Sequence, residues 1–193
     1  MILVLDTETT GLPKNWKKSY KYVNNWPRVI ELAWQLYTDD GELIEEASDL
    51  VEPDGWTMPT GEFWQKYGFT QERNETEGKP IEELLEKLTE AIHKADLMVA
   101  HNISYDANVL MAEYLRANKT TGKQIERFCT KEAGTNYCKI PGKYPGKYKW
   151  PKLEELANKL EIDSSDIDFH RALGDIILTA RCYFKMKERG IIS

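Results

Sequence analysis

Two carboxylates leave the first apolar run of the chain side by side. In the stretch LVLDTETTGLP, residues 3–13, a run of Leu and Val typical of a buried strand ends in Asp6 and Glu8. Residues two apart on an extended strand point to the same face, so the two side chains would converge. No Lys or Arg precedes Lys14 to balance them. The stretch predicts either a divalent cation held by carboxylate oxygens, or a solvated Glu8 beside an Asp6 that caps a turn; DTE alone favours the second.

Two further acidic residues lie near the starts of predicted helices. The segment VAHNISYD leads from a short apolar strand into a helix and places Asp106 in its first turn. In HRALGD, Asp175 lies about one turn into the closing helix, and its apolar neighbours predict that it faces the interior. Ligands of α/β proteins collect at strand ends and at the helix starts beside them. The alternatives are structural, since Asp106 would also suit the helix dipole and Asp175 could bond a backbone amide or Arg171.

The three histidines differ in the roles that their surroundings allow. His170 and Asp175 are five residues apart, which would set them about 140° apart around a helix if both were inside it. His170 is therefore predicted to lie before the closing helix or in its first turn. His101 is predicted to order a turn beside Asn102, and His93 lies on a lysine-flanked helix and is predicted to be exposed.

Hydrophobic periodicity predicts the elements that position these residues. The stretches RVIELAWQLYT and GELIEEASDLVEP, joined by the turn signal TDDG, predict a hairpin beside the first strand. Apolar residues at helical spacing predict an amphipathic helix over residues 79–95, with Pro80 at its start. The remaining predicted elements are, in order, the strand DLMVAHN, the helix SYDANVLMAEYLRAN, the strand RFCT, the helix KLEELANKLE and a closing helix that ends at Gly190. This order predicts a mixed α/β sheet in one domain over residues 1–193.

Length and composition are typical of a globular protein that keeps its cysteines reduced. The 193 residues suffice to bury a sizeable core. Cys129, Cys138 and Cys182 form no C-x-x-C pair and are odd in number, which argues against a disulfide framework and against a zinc site. No apolar run approaches the roughly 18 residues that a membrane span needs. A soluble, cytoplasmic protein without a membrane partner is therefore expected.

The formal net charge of −6 hides two basic segments. Residues 14–28, the first basic segment, hold five basic and no acidic residues, and residues 139–152, the second basic segment, hold five lysines and no acid. Outside these segments, 16 basic residues face 32 acidic ones. The aromatic residues interleaved with the lysines are Trp16, Tyr20, Tyr22 and Trp26 in the first segment and Tyr144, Tyr148 and Trp150 in the second.

Lysines that alternate with aromatic rings are typical of surfaces that bind single-stranded nucleic acid, because the cations follow the phosphates while the rings stack on bases. This interpretation is favoured for the first basic segment, with Lys14, Trp16, Lys17 and Lys18 as candidate contacts. For the second basic segment, nucleic-acid binding and the alternative that KWPKLEEL docks a helix are equally favoured. The general alternative is that the lysines solubilise two loops whose aromatic residues pack on the core.

Taken in order, DTETTG, HNISYD and HRALGD resemble the three motifs of the DnaQ-like (DEDDh) 3′-to-5′ exonucleases. The resemblance covers nearly the whole chain and includes the segment GKPIEELLEKLTEAIHKADLMVAHN. It implies the ribonuclease H-like α/β fold, a mixed five-stranded sheet of three antiparallel strands plus parallel strands, flanked by helices.

The same resemblance implies a role for each motif residue. Asp6 would bridge two divalent metal ions, Mg²⁺ or Mn²⁺. Glu8 and Asp175 would complete one metal site, and Asp106 would serve the other. His170 would be the general base that helps a metal-held water attack the scissile phosphate.

The implied activity is hydrolysis at the 3′ ends of single-stranded nucleic acid, DNA before RNA, with release of nucleoside 5′-monophosphates. Positions near Thr9 and Leu12 would meet the 3′-terminal nucleotide, with a backbone amide on its 3′-hydroxyl and an apolar side chain against its base. A DNA polymerase would be the partner in proofreading, and a freestanding role in repair or turnover is equally compatible with the sequence.

Three alternatives stay open. An enzyme of the same fold could act on RNA or on very short oligonucleotides, since contacts to a 2′-hydroxyl leave no motif. An aspartyl phosphotransferase could also use a strand that ends in DTET, although HRALGD would then have no purpose. A catalytically silent nucleic-acid-binding or polymerase-associated module is the third. The sequence predicts no oligomeric state.

Overall fold

A five-stranded mixed sheet forms the centre of the computed structural model, which describes residues 1–192. The strands are β1 (Ile2–Thr9), β2 (Val29–Tyr37), β3 (Leu43–Leu50), β4 (Leu97–Ala100) and β5 (Glu126–Cys129). Their order across the sheet is β3-β2-β1-β4-β5. The first three strands pair antiparallel, whereas β4 runs parallel to β1 and β5 parallel to β4. The predicted mixed sheet, with three antiparallel strands followed by parallel ones, is confirmed.

Helices cover the sheet and carry the segments between its strands. They are α1 (Glu62–Lys66), α2 (Gln71–Glu77), α3 (Ile81–Lys94), α4 (Ile103–Arg116), α5 (Thr130–Cys138), α6 (Leu153–Lys159) and α7 (Ala172–Glu188), with a 3₁₀ turn at Val23–Asn25. The predicted helices correspond to α3, α4, α6 and α7, with ends that differ by one to two residues. The short helices α1, α2 and α5 were not predicted, because none is long enough to display a hydrophobic period.

The central strand β1 is buried on both faces. Ile2 and Val4 pack with α7 residues such as Ile176, whereas Leu3 and Leu5 pack with the residues of α3 and α4. Successive side chains of a strand alternate between faces. Asp6 and Glu8 therefore continue the face toward α7, and Thr7 continues the face toward α4.

The neighbour of β1 on one side is shorter than β1 itself. β4 pairs with β1 only along Ile2–Val4. Beyond that point the β1 backbone has no strand partner on this side, and an unpaired backbone N–H needs another acceptor. The end of β1 is thereby open to a side chain from the start of α4.

A buried ionic cluster fixes the first basic segment against α4. Glu113 of α4 is 1% exposed and accepts bonds from the side chain of Arg28 (Nε–Oε1 2.9 Å) and from the backbone N–H of Val29 (3.0 Å). Arg116 lies 3.0 Å from the same carboxylate and donates to the carbonyls of Trp26 and Pro27. The chain between β1 and β2 is therefore held at its C-terminal end.

Other sequence expectations have mixed outcomes. Trp26 differs from the other aromatic residues of the first basic segment, because it is 5% exposed and packs in the core. Cys129, Cys138 and Cys182 are free, and all three are buried. Among residues 1–192, no helix has the length and apolar character needed to span a bilayer.

Removing the charge at Glu113 is expected to destabilise the fold strongly. Glu113→Gln leaves Arg28 and Arg116 without their buried counter-charge, and breaking a buried pair on one side costs about 3–5 kcal/mol. Urea unfolding measures the change in the free energy of unfolding. Glu90→Gln is the control, because Glu90 is an exposed glutamate of α3. Equal stability of the two variants would contradict the structural role of the cluster.

Candidate active site

Three carboxylates converge where β1 leaves the sheet. Asp6 and Glu8 project from the same face of β1, and Asp175 lies in the first turn of α7. One oxygen of each lies within 4.8 Å of one oxygen of the other two. Oxygen atoms at this spacing suit a hard divalent cation such as Mg²⁺ or Mn²⁺.

Asp106 reaches the same strand from the opposite face. It lies in the first turn of α4, as predicted, and it is 3% exposed. Its Oδ1 accepts from the backbone N–H of Thr7 (3.1 Å) and from the Thr7 hydroxyl (2.8 Å). Asp106 thus fills the edge position that β4 leaves open, next to Asp6, and is not among the three converging carboxylates.

Burial opposes ionisation of all four groups, and repulsion by neighbouring acidic groups adds to it for Asp6, Glu8 and Asp175. Burial is the largest cause for each, and it raises the pKa of Glu8 to about 8 and the pKa of Asp106 and Asp175 to about 7. The pKa of Asp6 is also raised, by burial first and then by the charges of Asp106, Asp175 and Glu8.

The charge of these four groups is not balanced by cationic side chains. Among residues 1–192, no Lys or Arg lies within salt-bridge distance of Asp6, Glu8, Asp106 or Asp175. Arg171 lowers the pKa of Glu8 and Lys131 lowers that of Asp106, each only as a minor contribution. Carboxylates gathered in this way fit bound divalent cations, which would stabilise their ionised forms.

A fifth carboxylate, Glu31, is neutralised by a partner of its own. Glu31 lies directly opposite Glu8 in β2. It accepts from Arg171 (Nε–Oε1 3.0 Å) and from the backbone N–H of Ala172 (2.8 Å), so it caps the start of α7 from the sheet. The sequence alternative that Arg171 pairs with Asp175 was therefore wrong. A glutamate inside the apolar run RVIELAW was the available signal for a buried partner.

His170 lies just before α7, as predicted. Its φ of 63° is in the left-handed region, and its side chain is exposed. The imidazole ring packs on Tyr67 (centroid distance 4.6 Å) and on Phe63 (5.6 Å). The backbone N–H of Asp175 donates to the carbonyl of Arg171 (3.0 Å), the residue after His170, so the histidine lies next to the turn that carries the carboxylate.

His101 has protein partners on both ring nitrogens. Nδ1 lies 2.9 Å from the Thr130 hydroxyl and Nε2 lies 3.1 Å from the Pro151 carbonyl. Burial lowers the pKa of His101 to about 4, so the ring is neutral and donates from Nε2 to the carbonyl. This arrangement agrees with the structural role expected for His101. His93 is exposed, as expected.

An aromatic cleft of about 400 Å³ opens beside Glu8. Its walls include Thr9, Leu12, Trp16, Phe63, Trp64 and Tyr105. Trp64 donates to the Thr9 carbonyl (3.0 Å), and Tyr105 donates to the Gly11 carbonyl (2.7 Å). These bonds fix the turn after β1, so the cleft has a preformed shape.

The candidate nucleic-acid contacts separate into two groups. Thr9, Leu12 and Trp16 line the aromatic cleft, and Leu12 and Trp16 are 72% and 57% exposed. Lys14 lines a neighbouring groove. Lys17 and Lys18 are exposed but line neither. The structure thus brings the aromatic and apolar candidates to the carboxylates and leaves two lysines farther out.

Sequence reasoning missed part of the cleft. Phe63, Trp64 and Tyr67 belong to α1 or its end, and Tyr105 lies beside Asp106. The aromatic density of EFWQKY was the available signal. Nothing in the sequence indicated that this segment meets the end of β1, since more than 50 residues separate them.

Comparisons with known proteins agree with this geometry. A family model described as an exonuclease family, RNase_T, matches residues 3–183. Over 98% of its length, the chain is 28% identical to a DNA polymerase III of PolC type from Mycoplasmopsis pulmonis (strain UAB CTIP). Among solved structures, 97% of the chain superposes on E. coli exonuclease I in complex with a dT13 oligonucleotide, with a TM-score of 0.72 and 16% identity. A product-bound structure of exonuclease I gives a TM-score of 0.73 over 98% of the chain, at 15% identity.

The chain corresponds to a part of each of these relatives. It spans 12% of the PolC-type polymerase and 41% and 44% of the two exonuclease I chains. The structural likeness confirms the fold, a mixed sheet flanked by helices.

The metal-free protein is expected to lose stability as the pH rises from about 5 to about 9. The site carboxyls have folded-state pKa values of about 7 to 8, above the ordinary range near 4, so the folded state binds more protons between these limits. The protonated carboxyls therefore contribute their full stabilisation below the ordinary pKa near 4. This stabilisation is lost as the pH rises through the folded-state pKa values. Melting temperatures in EDTA across this range measure the effect, and Mg²⁺ should raise the melting temperature more at high pH.

Glu8→Gln tests the origin of that pH dependence. The substitution removes one partly buried ionisable group whose pKa is raised, so the fall in melting temperature with pH should become shallower. Glu90→Gln, at an exposed position, should keep the wild-type slope. Identical slopes for wild type and Glu8→Gln would show that the site carboxyls do not oppose folding.

Gly174 is expected to tolerate no side chain. A Cβ at this position would lie 2.1 Å from the backbone carbonyl oxygen of Asp168, in the loop that carries His170. Gly174→Ala should lower the free energy of unfolding by about 1–3 kcal/mol, because backbone must move. Gly134→Ala is the comparison, since its Cβ would meet only the end of the Leu156 side chain and should cost less. Equal melting temperatures would contradict the clash.

Proposed function

The chain belongs to the RNase_T exonuclease family, and on that premise we propose that it is a metal-dependent 3′-to-5′ exonuclease. It would hydrolyse phosphodiester bonds at the 3′ ends of single-stranded nucleic acid and release nucleoside 5′-monophosphates. The observation that carries the proposal is the convergence of Asp6, Glu8 and Asp175 beside an aromatic cleft, with no Lys or Arg of residues 1–192 in salt-bridge contact. We propose residues 1–193 as one exonuclease domain.

The carboxylates would hold two divalent cations, Mg²⁺ or Mn²⁺. Asp6 would bridge them, Glu8 and Asp175 would complete one site, and Asp106 would serve the other. When bound, the cations would supply a water of lowered pKa and would neutralise charge on the phosphate and the leaving oxygen. Thr7 supports this arrangement, because its two bonds to Oδ1 fix the orientation of the Asp106 carboxylate.

His170 would accept the proton of the attacking water. Imidazole takes up and releases protons near neutral pH, which suits a general base. The ring is exposed next to the Asp175 turn, and its contacts with Phe63 and Tyr67 limit its orientations. The neighbouring Arg171–Glu31 pair anchors the loop to β2, so His170 is positioned by the sheet as well as by α7.

The aromatic cleft would bind the 3′-terminal nucleotide. A base that has left its stack can lie against Leu12 and Trp16, whose side chains are exposed at the cleft. The backbone near Thr9 would meet the 3′-hydroxyl. A cleft that holds one splayed nucleotide favours single strands over duplexes. DNA is the preferred substrate of the proposal, with RNA as the second, because the structurally similar exonuclease I was crystallised with a dT13 strand.

A polymerase-associated role has one specific observation in its favour. Nearly the whole chain aligns with 12% of a PolC-type DNA polymerase. Proofreading beside a polymerase is therefore one cellular setting for the activity, and freestanding repair or turnover is the other. A catalytically silent module is disfavoured, since all five residues with proposed catalytic roles are present.

Degradation of 5′-labelled single-stranded DNA and RNA tests the proposal. With Mg²⁺ or Mn²⁺ we expect a ladder that shortens from the 3′ end, and EDTA should abolish it. Asp6→Ala should remove activity, and His170→Ala should lower it by about 10²–10⁴-fold, the usual contribution of a general base. His93→Ala is the matched control, because His93 is an exposed histidine of α3 outside the site.

Two results would contradict the proposal. Shortening of the strand from its 5′ end would rule out the proposed 3′-to-5′ direction. Absence of hydrolysis with either metal, in a protein that still binds single strands, would favour the silent binding module instead.

A further inference from the structure

The second basic segment folds as a projecting hairpin. The backbone N–H of Gly142 donates to the Lys147 carbonyl (2.8 Å), and the N–H of Lys149 donates to the Ile140 carbonyl (2.9 Å). At the tip, Pro145 and Gly146 occupy the turn, and Gly146 has a φ of 71°. Pro followed by a positive-φ Gly is typical of a type II turn. The stretch is therefore a built element with a defined shape.

The hairpin displays aromatic rings and lysine side chains to solvent. Tyr144, Tyr148 and Trp150 are 67%, 45% and 60% exposed. Of its five lysines, only Lys149 pairs with a carboxylate within residues 1–192, that of Glu155 (2.7 Å). The lysines without an ion pair in this range are Lys139, Lys143, Lys147 and Lys152. Three exposed rings on so short a segment are more apolar surface than a purely solubilising loop needs.

The base of the hairpin is held firmly near the carboxylates. His101 donates to the carbonyl of Pro151, which is buried. The Lys131 ammonium lies 4.1 Å from the centre of the Trp150 ring and also donates to the Asn102 side chain. This cation–π contact fixes one face of the ring. Trp150 is thus presented in a set orientation.

Trp150 lies in a second cleft on the other side of the carboxylates. This cleft, of about 510 Å³, is lined by residues that include Trp150, Lys152, His170 and Asp175. Asn102 lines both this cleft and the aromatic cleft beside Glu8. A chain that ends in the aromatic cleft can therefore pass the carboxylates and continue toward the hairpin.

We propose that the second basic segment is a binding arm for single-stranded nucleic acid. Trp150 stacks on a base upstream of the scissile phosphate, and Lys143 and Lys147 contact phosphates farther along the strand. The inference rests on the proposed function, because it takes the carboxylates as the point of cleavage. The alternative role of KWPKLEEL, docking a helix, is also observed, because the Lys152 N–H donates to the Glu155 side chain in α6 (2.8 Å). This contact does not cover the Trp150 ring, which stays exposed.

The positive charge of the second basic segment favours nucleic acid over a protein as its binding partner. The cleavage site gathers four carboxylates, and the chain as a whole carries −6. A polyanion that approaches such a site needs positive charge along its path. Lysines alternating with exposed rings supply both phosphate contacts and stacking faces, and stacking does not require a particular base. The arm should therefore bind strands of any sequence.

Binding and hydrolysis are measured on two substrate lengths, a dinucleotide and a labelled strand of about 20 nucleotides, long enough to cover an extended single-strand site. Fluorescence anisotropy in EDTA gives the affinity for the long strand without hydrolysis. The variants are Trp150→Leu, Trp150→Phe and Lys143→Ala/Lys147→Ala. Lys87→Ala/Lys94→Ala on α3 is the matched control, since it removes two lysines that line neither cleft.

Each variant has its own expected result. Trp150→Leu should weaken binding of the long strand about tenfold and raise its KM, with a much smaller effect on the dinucleotide. Trp150→Phe keeps a ring and should recover most of the affinity. The double lysine variant should lower the slope of log K against log salt by about 0.7 for each phosphate that no longer meets a lysine. The control should match wild type on both lengths.

The outcomes separate this inference from the proposed function. Unchanged affinity and salt slope would overturn the binding arm and leave the exposed rings to a protein partner. Equal losses on both lengths would also overturn it, because Trp150 would then act only at the cleavage site. If wild type hydrolyses neither length but Trp150→Leu weakens binding, the proposed function fails and the arm stands. If wild type binds no single strand, the arm fails.

Discussion

The repulsion between carboxylates gathered at a partly buried position is the constraint on which the structure depends. Three carboxylates converge at the end of β1 and Asp106 bonds to the same strand, with no Lys or Arg in salt-bridge contact with these four among the residues described. The chain does provide counter-charges to other buried acids, since Glu31 pairs with Arg171 and Glu113 with Arg28 and Arg116. The contrast favours a bound cation as the counter-charge at the site. The repulsion between these carboxylates opposes folding, and the same arrangement is suited to bind divalent cations.

The alternation of side chains along β1 explains how helices from both faces serve one site. Even-numbered residues at the end of the strand face α7, and Asp175 meets them there. The odd-numbered Thr7 faces α4 and holds Asp106. This second approach depends on β4 being short, because a longer β4 would take the Thr7 N–H into the ladder. A single truncated strand pairing thus lets Asp106 reach the edge of the sheet beside Asp6.

Two clefts adjoin the carboxylates, one on each side. On one side, the turn after β1 and the helix α1 form the aromatic cleft. On the other side lies the second cleft, with His170 and the hairpin of the second basic segment. The chain carries a net charge of −6 although it belongs to an exonuclease family. The acidic residues of the site, with the second basic segment beside them, explain this combination. The distribution of charge over the surface matters more here than the total.

Local sequence patterns were enough to predict the hairpin beside β1, a mixed sheet, the four longer helices and the placement of all five motif residues at element ends, whereas the set of antiparallel and parallel strands was implied by the family resemblance. These features depend on periodicity and on turn and cap residues, which act over a few neighbours. Long-range packing determines that Glu31 pairs with Arg171 and that α1 lines the aromatic cleft. It also determines that Trp26 is buried while Trp16 is exposed. Those outcomes depend on contacts between residues far apart in the chain, for which a single sequence carries no periodic signal. The same reason separates Lys17 and Lys18 from the cleft although they neighbour Trp16 in sequence.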